Sequence, residues 1–293
     1  MSSFHLAGII PVAGQPLDFK MDWHDSLMPI APDYLAVERA VFECAWAGCE
    51  TIWIVANDDM TPLIRHRLGE WVQDPVWIGR SMDRYPSESR KQIPIFYVPL
   101  RAKDVGKRDC LAWSVLHGAV TAFEVSARLS KWVIPNRNYV AFPYGVYDPE
   151  IIREHRKLIS SNKPFMLSHN GKTVQDGEYL GFTFDKDDFV NSRKEIRKGT
   201  GEYNSKVMES GLFPREKLPK EERWSARYFS LDKIFKPVII YKENKVEVPW
   251  YYNVDSWEGY CNYLGSEERK LVERPHPIFM KYREWNEIGV DDE

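Results

Sequence analysis

Among the residues able to do chemistry, a glycine and a pair of cations are the best placed by their neighbours. Gly14 ends the apolar run from Leu6 to Val12, where a strand gives way to a loop, and a glycine there lets backbone amides approach a phosphate. An ordinary strand-to-loop turn would use the same residue. Lys107 and Arg108 stand at the turn into a helix predicted from Asp109, a position that could bind an anion or could simply be a charged loop. His24 and Asp25 could form an acid–base pair, although neighbours on a loop seldom face one point. The adjacent acids Asp58 and Asp59 follow a strand and suit helix N-capping better than metal binding. His66, His117 and His155 fall within helical patterns and read as packing residues. Cys44, Cys49, Cys110 and Cys261 form no Cys-x-x-Cys pair, so free buried thiols in a reducing compartment are expected rather than a metal site.

The elements that must position these residues alternate between strand and helix. Leu6 to Val12 and Thr51 to Ala56 are short apolar runs of buried-strand type, and Tyr34 to Trp46 between them has helical apolar spacing with Gly48 as its C-cap. A strand, a helix and a strand of these lengths imply parallel pairing. Helices are predicted at Leu63 to Val72, Asp109 to Arg128, Pro149 to Leu158 and Ser256 to Leu264. Strands are predicted at Ile93 to Leu100, Tyr139 to Phe142, Val238 to Tyr241 and Val246 to Tyr252. The fold class is therefore α/β. Lys186 to Arg227 is rich in charge and poor in aliphatics, and reads as a solvated face, a lid or a partner-binding insertion within one domain spanning 1–293.

Composition narrows the partners. The formal net charge of −3 and scattered basic residues exclude a general nucleic-acid binder, which needs a basic stripe to neutralise phosphates. The opening MSSFHLAGIIPVAG lacks the basic start of a signal peptide, and no apolar run approaches the roughly 20 residues of a membrane span, so a cytoplasmic protein is expected. Aromatic residues make up 14% of the chain, including 11 Trp, enough to fill a core or to line a surface that meets a protein partner or a second copy.

Taken together, GIIPVAG (Gly8 to Gly14), SLMPI (Ser26 to Ile30) and LAVERAVFECAWAGCETIWIV (Leu35 to Val55) resemble the opening of the sugar nucleotidyltransferases, which make nucleoside-diphosphate sugars. VGKRDCLAWSVLHGA (Val105 to Ala119), DGEYLGFTF (Asp176 to Phe184) and WYYNVDSWEGYCNYL (Trp250 to Leu264) extend the likeness in order along the chain, with a weak stretch between Lys186 and Arg227. The resemblance implies a three-layer, Rossmann-like α/β fold with a mixed, mainly parallel central sheet. It also implies a reaction in which a sugar 1-phosphate attacks the α-phosphorus of a nucleoside triphosphate and pyrophosphate leaves. Both reactants are anions, so positioning and charge neutralisation carry such catalysis. On this template Ala13, Gly14, Gln15 and Lys107 bind nucleotide, Lys20 and Arg108 act on the triphosphate, Tyr144 and Glu178 meet the sugar, and Asp255 holds Mg²⁺. The resemblance extends to diverged members encoded by tailed bacteriophages.

Three family positions are changed. The loop AGQPLDFK has one glycine and no arginine, and Pro16 removes an amide that a phosphate cradle would use. The family's lysine before Leu-x-Pro falls at Asp25 or Ser26, and its first metal-binding aspartate falls at Tyr144 in YVAFPYGVYDP, leaving Asp255 as the candidate carboxylate. Two other functions therefore stand beside the transferase: a non-catalytic descendant of the fold kept as a binding or structural protein, such as one of a virion, and a glycosyltransferase that consumes a nucleotide sugar. Tyr144 and Trp257 are candidates to stack on a base or sugar.

Overall fold

The computed structural model describes residues 4–14, 21, 23–75, 92–105, 110–130, 133–197 and 229–275. Its centre is an eight-stranded sheet built around β1 (Leu6–Pro11), every residue of which is buried. β1 pairs in parallel with β4 (Thr51–Ala56) on one side and β7 (Arg137–Val140) on the other. Outward from β4 lie β6 (Gln92–Pro99), parallel, and β5 (Trp71–Gln73), antiparallel at the edge. Outward from β7 come β10 (Phe182–Phe184), antiparallel, then β9 (Met166–Ser168) and β11 (Lys245–Glu247), which pair in parallel with each other. Two short ribbons stand off this sheet: β2 (Pro29–Ala31) with β3 (Tyr34–Leu35), and β8 (Gly145–Tyr147) with β12 (Tyr251–Asn253).

Helices cover both faces, which is why the central strands are continuous apolar runs rather than alternating ones. On one face lies α1 (Ala36–Ala47). The Glu38 carboxylate accepts from the Leu35 N–H at 2.8 Å at its start, and Gly48 ends it in the left-handed region at φ +92°. This helix lies so close to β1 that a Cβ on Gly8 would come within 2.7 Å of Cys44 Sγ. On the other face α3 (Leu111–Leu129) packs as closely, since a Cβ on Gly118 would lie 2.8 Å from Val55 and 2.9 Å from Ile9. Neighbouring β4 and β6 add a cross-strand stack of Trp53 on Phe96, 4.3 Å between ring centres. Much of the aromatic content is core: Tyr34, Tyr139, Tyr144, Tyr147, Tyr263 and Phe182 are among the largest fully buried side chains.

Several expectations are corrected. The helix predicted over Leu63 to Val72 is α2 (Thr61–Leu68), stopped at Gly69 with φ +75°, and the remainder turns back as β5. The helix predicted over Pro149 to Leu158 is two short pieces, α4 (Glu150–Glu154) and α5 (Arg156–Ile159), broken at His155. No strand forms at 238–241, and the strand predicted over Val246 to Tyr252 divides into β11 and β12 around Pro249, which cannot donate to a ladder. β7 ends at Val140, two residues before the predicted end at Phe142. Asp58 and Asp59 are exposed and cap nothing by side chain: Met60 is the N-cap residue of α2, and the Asn57 carbonyl accepts from the Thr61 hydroxyl at 2.9 Å. Within Lys186 to Arg227, the first part is α6 (Lys186–Arg197), followed after the undescribed 198–228 by α7 (Leu231–Phe235). The helix is not solvated all round, because Ile196 joins the core and Asp188 is buried. The helix expected over Ser256 to Leu264 is α8 (Trp257–Leu264), with Ser256 as its N-cap. Among the described residues no helix is long and apolar enough to cross a membrane.

Candidate functional site

The chain leaves β1 toward β4 and later returns to β7 on the other side of β1. In open α/β sheets the crevice beyond the carboxyl ends of two such strands is where ligands bind. The loop after β1 forms one wall. The N–H groups of Val12 and Ala13 both donate to the Val55 carbonyl at 2.9 Å, which pulls the loop over β4. Gly14 follows at φ +86°, and a Cβ there would lie 2.3 Å from the Cys110 nitrogen. That contact places the glycine against the start of the 19-residue helix α3, whose N-cap Cys110 makes no side-chain capping bond. The Ser114 hydroxyl fixes the two together by donating to the Ala13 carbonyl at 2.6 Å. A helix start carries free N–H groups and the positive end of the helix dipole, so this wall favours an anion.

The opposite wall is held from below by α1. Arg39 donates to the Glu43 carboxylate at 2.7 Å and to the Phe142 carbonyl at 2.6 Å, so it fixes the turn that follows β7. Tyr139 donates to the same carboxylate at 2.6 Å, Tyr147 also donates to it, and the guanidinium lies over the Tyr147 ring at 5.1 Å. Burial is the largest influence on Arg39 and opposes its charge, yet Glu43, Tyr147 and Tyr34 together outweigh it and raise the arginine above its ordinary pKa.

Beyond that turn, Tyr144 stands beneath the crevice. Its hydroxyl donates to the Val12 carbonyl at 3.4 Å, and its carbonyl accepts from the Val254 N–H at 2.8 Å. The ring meets Tyr179 edge-on at 5.6 Å, and the Tyr179 hydroxyl donates to Asp255 Oδ2 at 3.0 Å. Gly145 permits this junction, because a Cβ there would lie 2.0 Å from the Tyr179 carbonyl oxygen. Burial, and then the charges of Asp25, Tyr179 and Asp255, push the Tyr144 hydroxyl well above the usual phenol range. Asp25 and Asp255, far apart in sequence, thus act on one hydroxyl. Glu178 takes a hydrogen bond from Tyr251, whose own hydroxyl accepts from the Tyr179 N–H at 3.0 Å. Lys172 lies 3.7 Å from the Glu178 carboxylate.

Contacts thus tie Ala13 and Gly14 to the start of α3, and link Tyr144 through Tyr179 to Asp255, with Glu178 joined by way of Tyr251. Gln15, Lys20, Lys107 and Arg108 lie outside the described residues. Tyr144 is fully buried, so as placed it supports the crevice and offers no ring face to a sugar or base, whereas Trp257 is 49% exposed. His24 Nδ1 accepts from the Ser26 N–H at 3.2 Å and lies 3.0 Å from the Ser26 hydroxyl. Burial lowers its pKa to about 4 against the opposing charge of Asp59, so the ring is neutral near neutral pH. His117 and His155 meet the carbonyls of Pro99 and Ile151, as packing residues would, but His66 is exposed. Cys44, Cys49 and Cys110 are buried and in no disulfide; Cys261, expected to be buried, is exposed. No group of three or more His, Cys, Asp or Glu suited to a metal occurs among the described residues.

Tyr179 and the Arg39–Glu43 pair went unnoticed in the sequence. Tyr179 sits beside the singled-out Glu178, and an arginine four residues before a glutamate on a predicted helix was a visible pairing signal.

No protein-family model matches the chain, and no curated protein sequence does. Solved structures do. A protein of Bacillus anthracis assigned as a glucose-1-phosphate thymidylyltransferase, solved with sucrose, aligns with a TM-score of 0.51 at 9% identity, over 92% of this chain and 98% of its own. A UDP-glucose pyrophosphorylase solved with UDP-glucose aligns with a TM-score of 0.50 at 13% identity, over 91% of this chain and 99% of its own. With the α/β layers and the mixed, mostly parallel sheet described above, these alignments show that the chain has the Rossmann-like fold of the sugar nucleotidyltransferases.

Proposed function

We propose that the chain binds a nucleoside triphosphate and a sugar 1-phosphate in the crevice between β1 and β7 and transfers the nucleotidyl group between them. The observation that carries this is the packing of Gly14 at φ +86° against the start of α3, with Tyr144 linking the same loop, at the Val12 carbonyl, through Tyr179 to the half-buried Asp255. An oxygen of the sugar phosphate attacks the α-phosphorus, the bond to the β-phosphate oxygen breaks, and pyrophosphate departs with that electron pair. The chain's part is to hold two anions in line and offset their charge. The Gly14 backbone and the α3 start would take the triphosphate, with Lys20, Lys107 and Arg108 adding charge. Gln15 and Ala13 would flank the nucleotide, and Glu178 would accept from a sugar hydroxyl.

Magnesium takes one or two carboxylates and completes its shell with water and substrate phosphates. Asp255, held by Tyr179, fits that demand, with the buried Asp25 as the other carboxylate acting on Tyr144. When bound, the ion would neutralise the phosphates at which the substrate oxygens meet. A second proposal, a non-catalytic nucleotide-binding descendant, draws support from Tyr144, a fully buried phenol where the resemblance sets the first metal-binding carboxylate.

Thermal denaturation against a panel of triphosphates and nucleoside-diphosphate sugars, with and without Mg²⁺, tests both. A ligand at a hundred times its Kd stabilises by about 2.7 kcal/mol, which raises the midpoint of a chain this long by roughly 5–10 °C. The transferase proposal expects a magnesium-dependent shift with one triphosphate, abolished in Asp255→Asn, together with pyrophosphate release on adding the sugar phosphate. A shift without pyrophosphate release favours the binding protein. No shift with any member of the panel overturns both.

A further inference from the structure

The two oxygens of Asp255 stand in different settings. Oδ2 accepts from the Tyr179 hydroxyl at 3.0 Å. Oδ1 takes no hydrogen bond among the described residues, and it is not among their enclosed polar atoms that lack one, so it is open to a ligand. The main chain here is fixed separately, because the Asp255 N–H donates to Asn253 Oδ1 at 3.0 Å and Ser256 caps α8. That leaves the carboxylate able to turn about its last bond, where the preferred angles are broad, unless one oxygen is held. Tyr179 supplies the hold. It is 9% exposed, and its ring meets those of Phe142 and Tyr144, each at 5.6 Å between centres. Its N–H donates to the Tyr251 hydroxyl at 3.0 Å, and its carbonyl oxygen lies where a Cβ on Gly145 would come within 2.0 Å. A phenol donor also carries no charge. Lysine or arginine in its place would orient the carboxylate but offset the negative charge that a cation needs.

On the proposal that Mg²⁺ binds at Asp255, we infer that Tyr179 is a positioning residue for the ion: its hydroxyl pins Oδ2 and so presents Oδ1 alone to the metal. Tyr179→Phe keeps the ring and its packing and removes only the hydroxyl, so its melting midpoint without ligand is expected to stay near that of the native chain. Both proteins are titrated with Mg²⁺ at a fixed concentration of ATP, GTP, CTP, UTP or dTTP, with the thermal shift as readout. The Mg²⁺ concentration giving half the maximal shift rises by about tenfold or more in the variant, the usual effect of removing a hydrogen bond that orients a metal ligand. The shift at saturating Mg²⁺ is restored in full. That restoration separates positioning from scaffolding, because excess metal compensates for weak affinity and not for a damaged site. An unchanged half-maximal concentration overturns the inference and leaves the transferase proposal standing. A shift that stays reduced at saturating Mg²⁺ makes Tyr179 part of the scaffold and overturns it as well. No Mg²⁺-dependent shift in the native chain removes the transferase proposal and, with it, the role assigned to Tyr179.

Discussion

At Gly14 two independent constraints select the same residue. Its φ of +86° lies where side-chain-bearing residues are strained, and a Cβ would collide with the backbone of Cys110 rather than with a side chain able to swing away. Gly14→Ala must therefore move the loop off the start of α3. The expected result is a loss of about 1–3 kcal/mol of stability and a larger proportional loss of nucleotide affinity, read by chemical denaturation and by the ligand-induced thermal shift. His24 supplies a pH dependence. Its pKa falls from 6.5 to about 4 on folding because burial disfavours the charged ring, and Nδ1 must stay unprotonated to accept from Ser26. A depressed folded-state pKa gives stability that is complete above pH 6.5 and is lost as pH falls from there toward 4, by up to about 3 kcal/mol at the lower end. Denaturation midpoints between those pH values should decline in the native chain and flatten in His24→Gln. At this scale the sequence was informative where the backbone made the demand, as at Gly14. It was silent on where loop side chains point, as at His24 and Asp25, because that direction is set by contacts that primary order does not contain.

Among the elements, α1 has the most to hold. Its apolar stripe was legible from helical spacing, and Gly48 from its place after the last apolar residue. The charged pair inside it, Arg39 and Glu43, is 4% and 2% exposed and carries the turn after β7 through the Phe142 carbonyl. Removing one partner leaves the other charge buried and uncompensated, so Glu43→Gln should cost about 3–5 kcal/mol, measured by urea denaturation. Arg39→Met combined with Glu43→Leu should cost less, since no lone charge remains. The elements misjudged from sequence share a cause. Leu63 to Val72 looked continuous because apolar spacing persisted across Gly69, yet that glycine sits at φ +75° and redirects the chain into an edge strand. The run from Val246 to Tyr252 looked like one strand because its residues favour extended backbone, while Pro249 between β11 and β12 sends its halves to different sheets. Local preference identified the type of element in both regions; a single backbone-restricting residue decided its length and partner.

For the whole molecule, the question is how parts of the chain far apart in sequence come together beside β1. The opening strand supplies Gly14 and the closing segment supplies Asp255, and between them the sheet order places β1 beside β7. Sequence order could suggest both ends but not their junction, which depends on side chains more than 200 positions apart. Tyr260 donates to the Pro29 carbonyl at 2.7 Å and Tyr263 to the Ile30 carbonyl at 2.8 Å, so α8 is tied to the ribbon that follows the crevice loop. Arg274 extends the tie, donating to Asp33 at 2.8 Å and to the fully buried Glu38 at 3.0 Å. If α8 sets the position of Asp255, loosening its hydroxyl ties should affect the ligand more than the fold. The double variant Tyr260→Phe, Tyr263→Phe keeps both rings and removes two neutral hydrogen bonds, worth about 1–3 kcal/mol in total. Denaturation should register that modest loss, while the magnesium-dependent thermal shift measured against the variant's own baseline should fall by more than half. An unchanged ligand shift would make α8 a scaffold for the core alone, and Asp255 would then owe its position to Tyr179 and the β8–β12 ribbon.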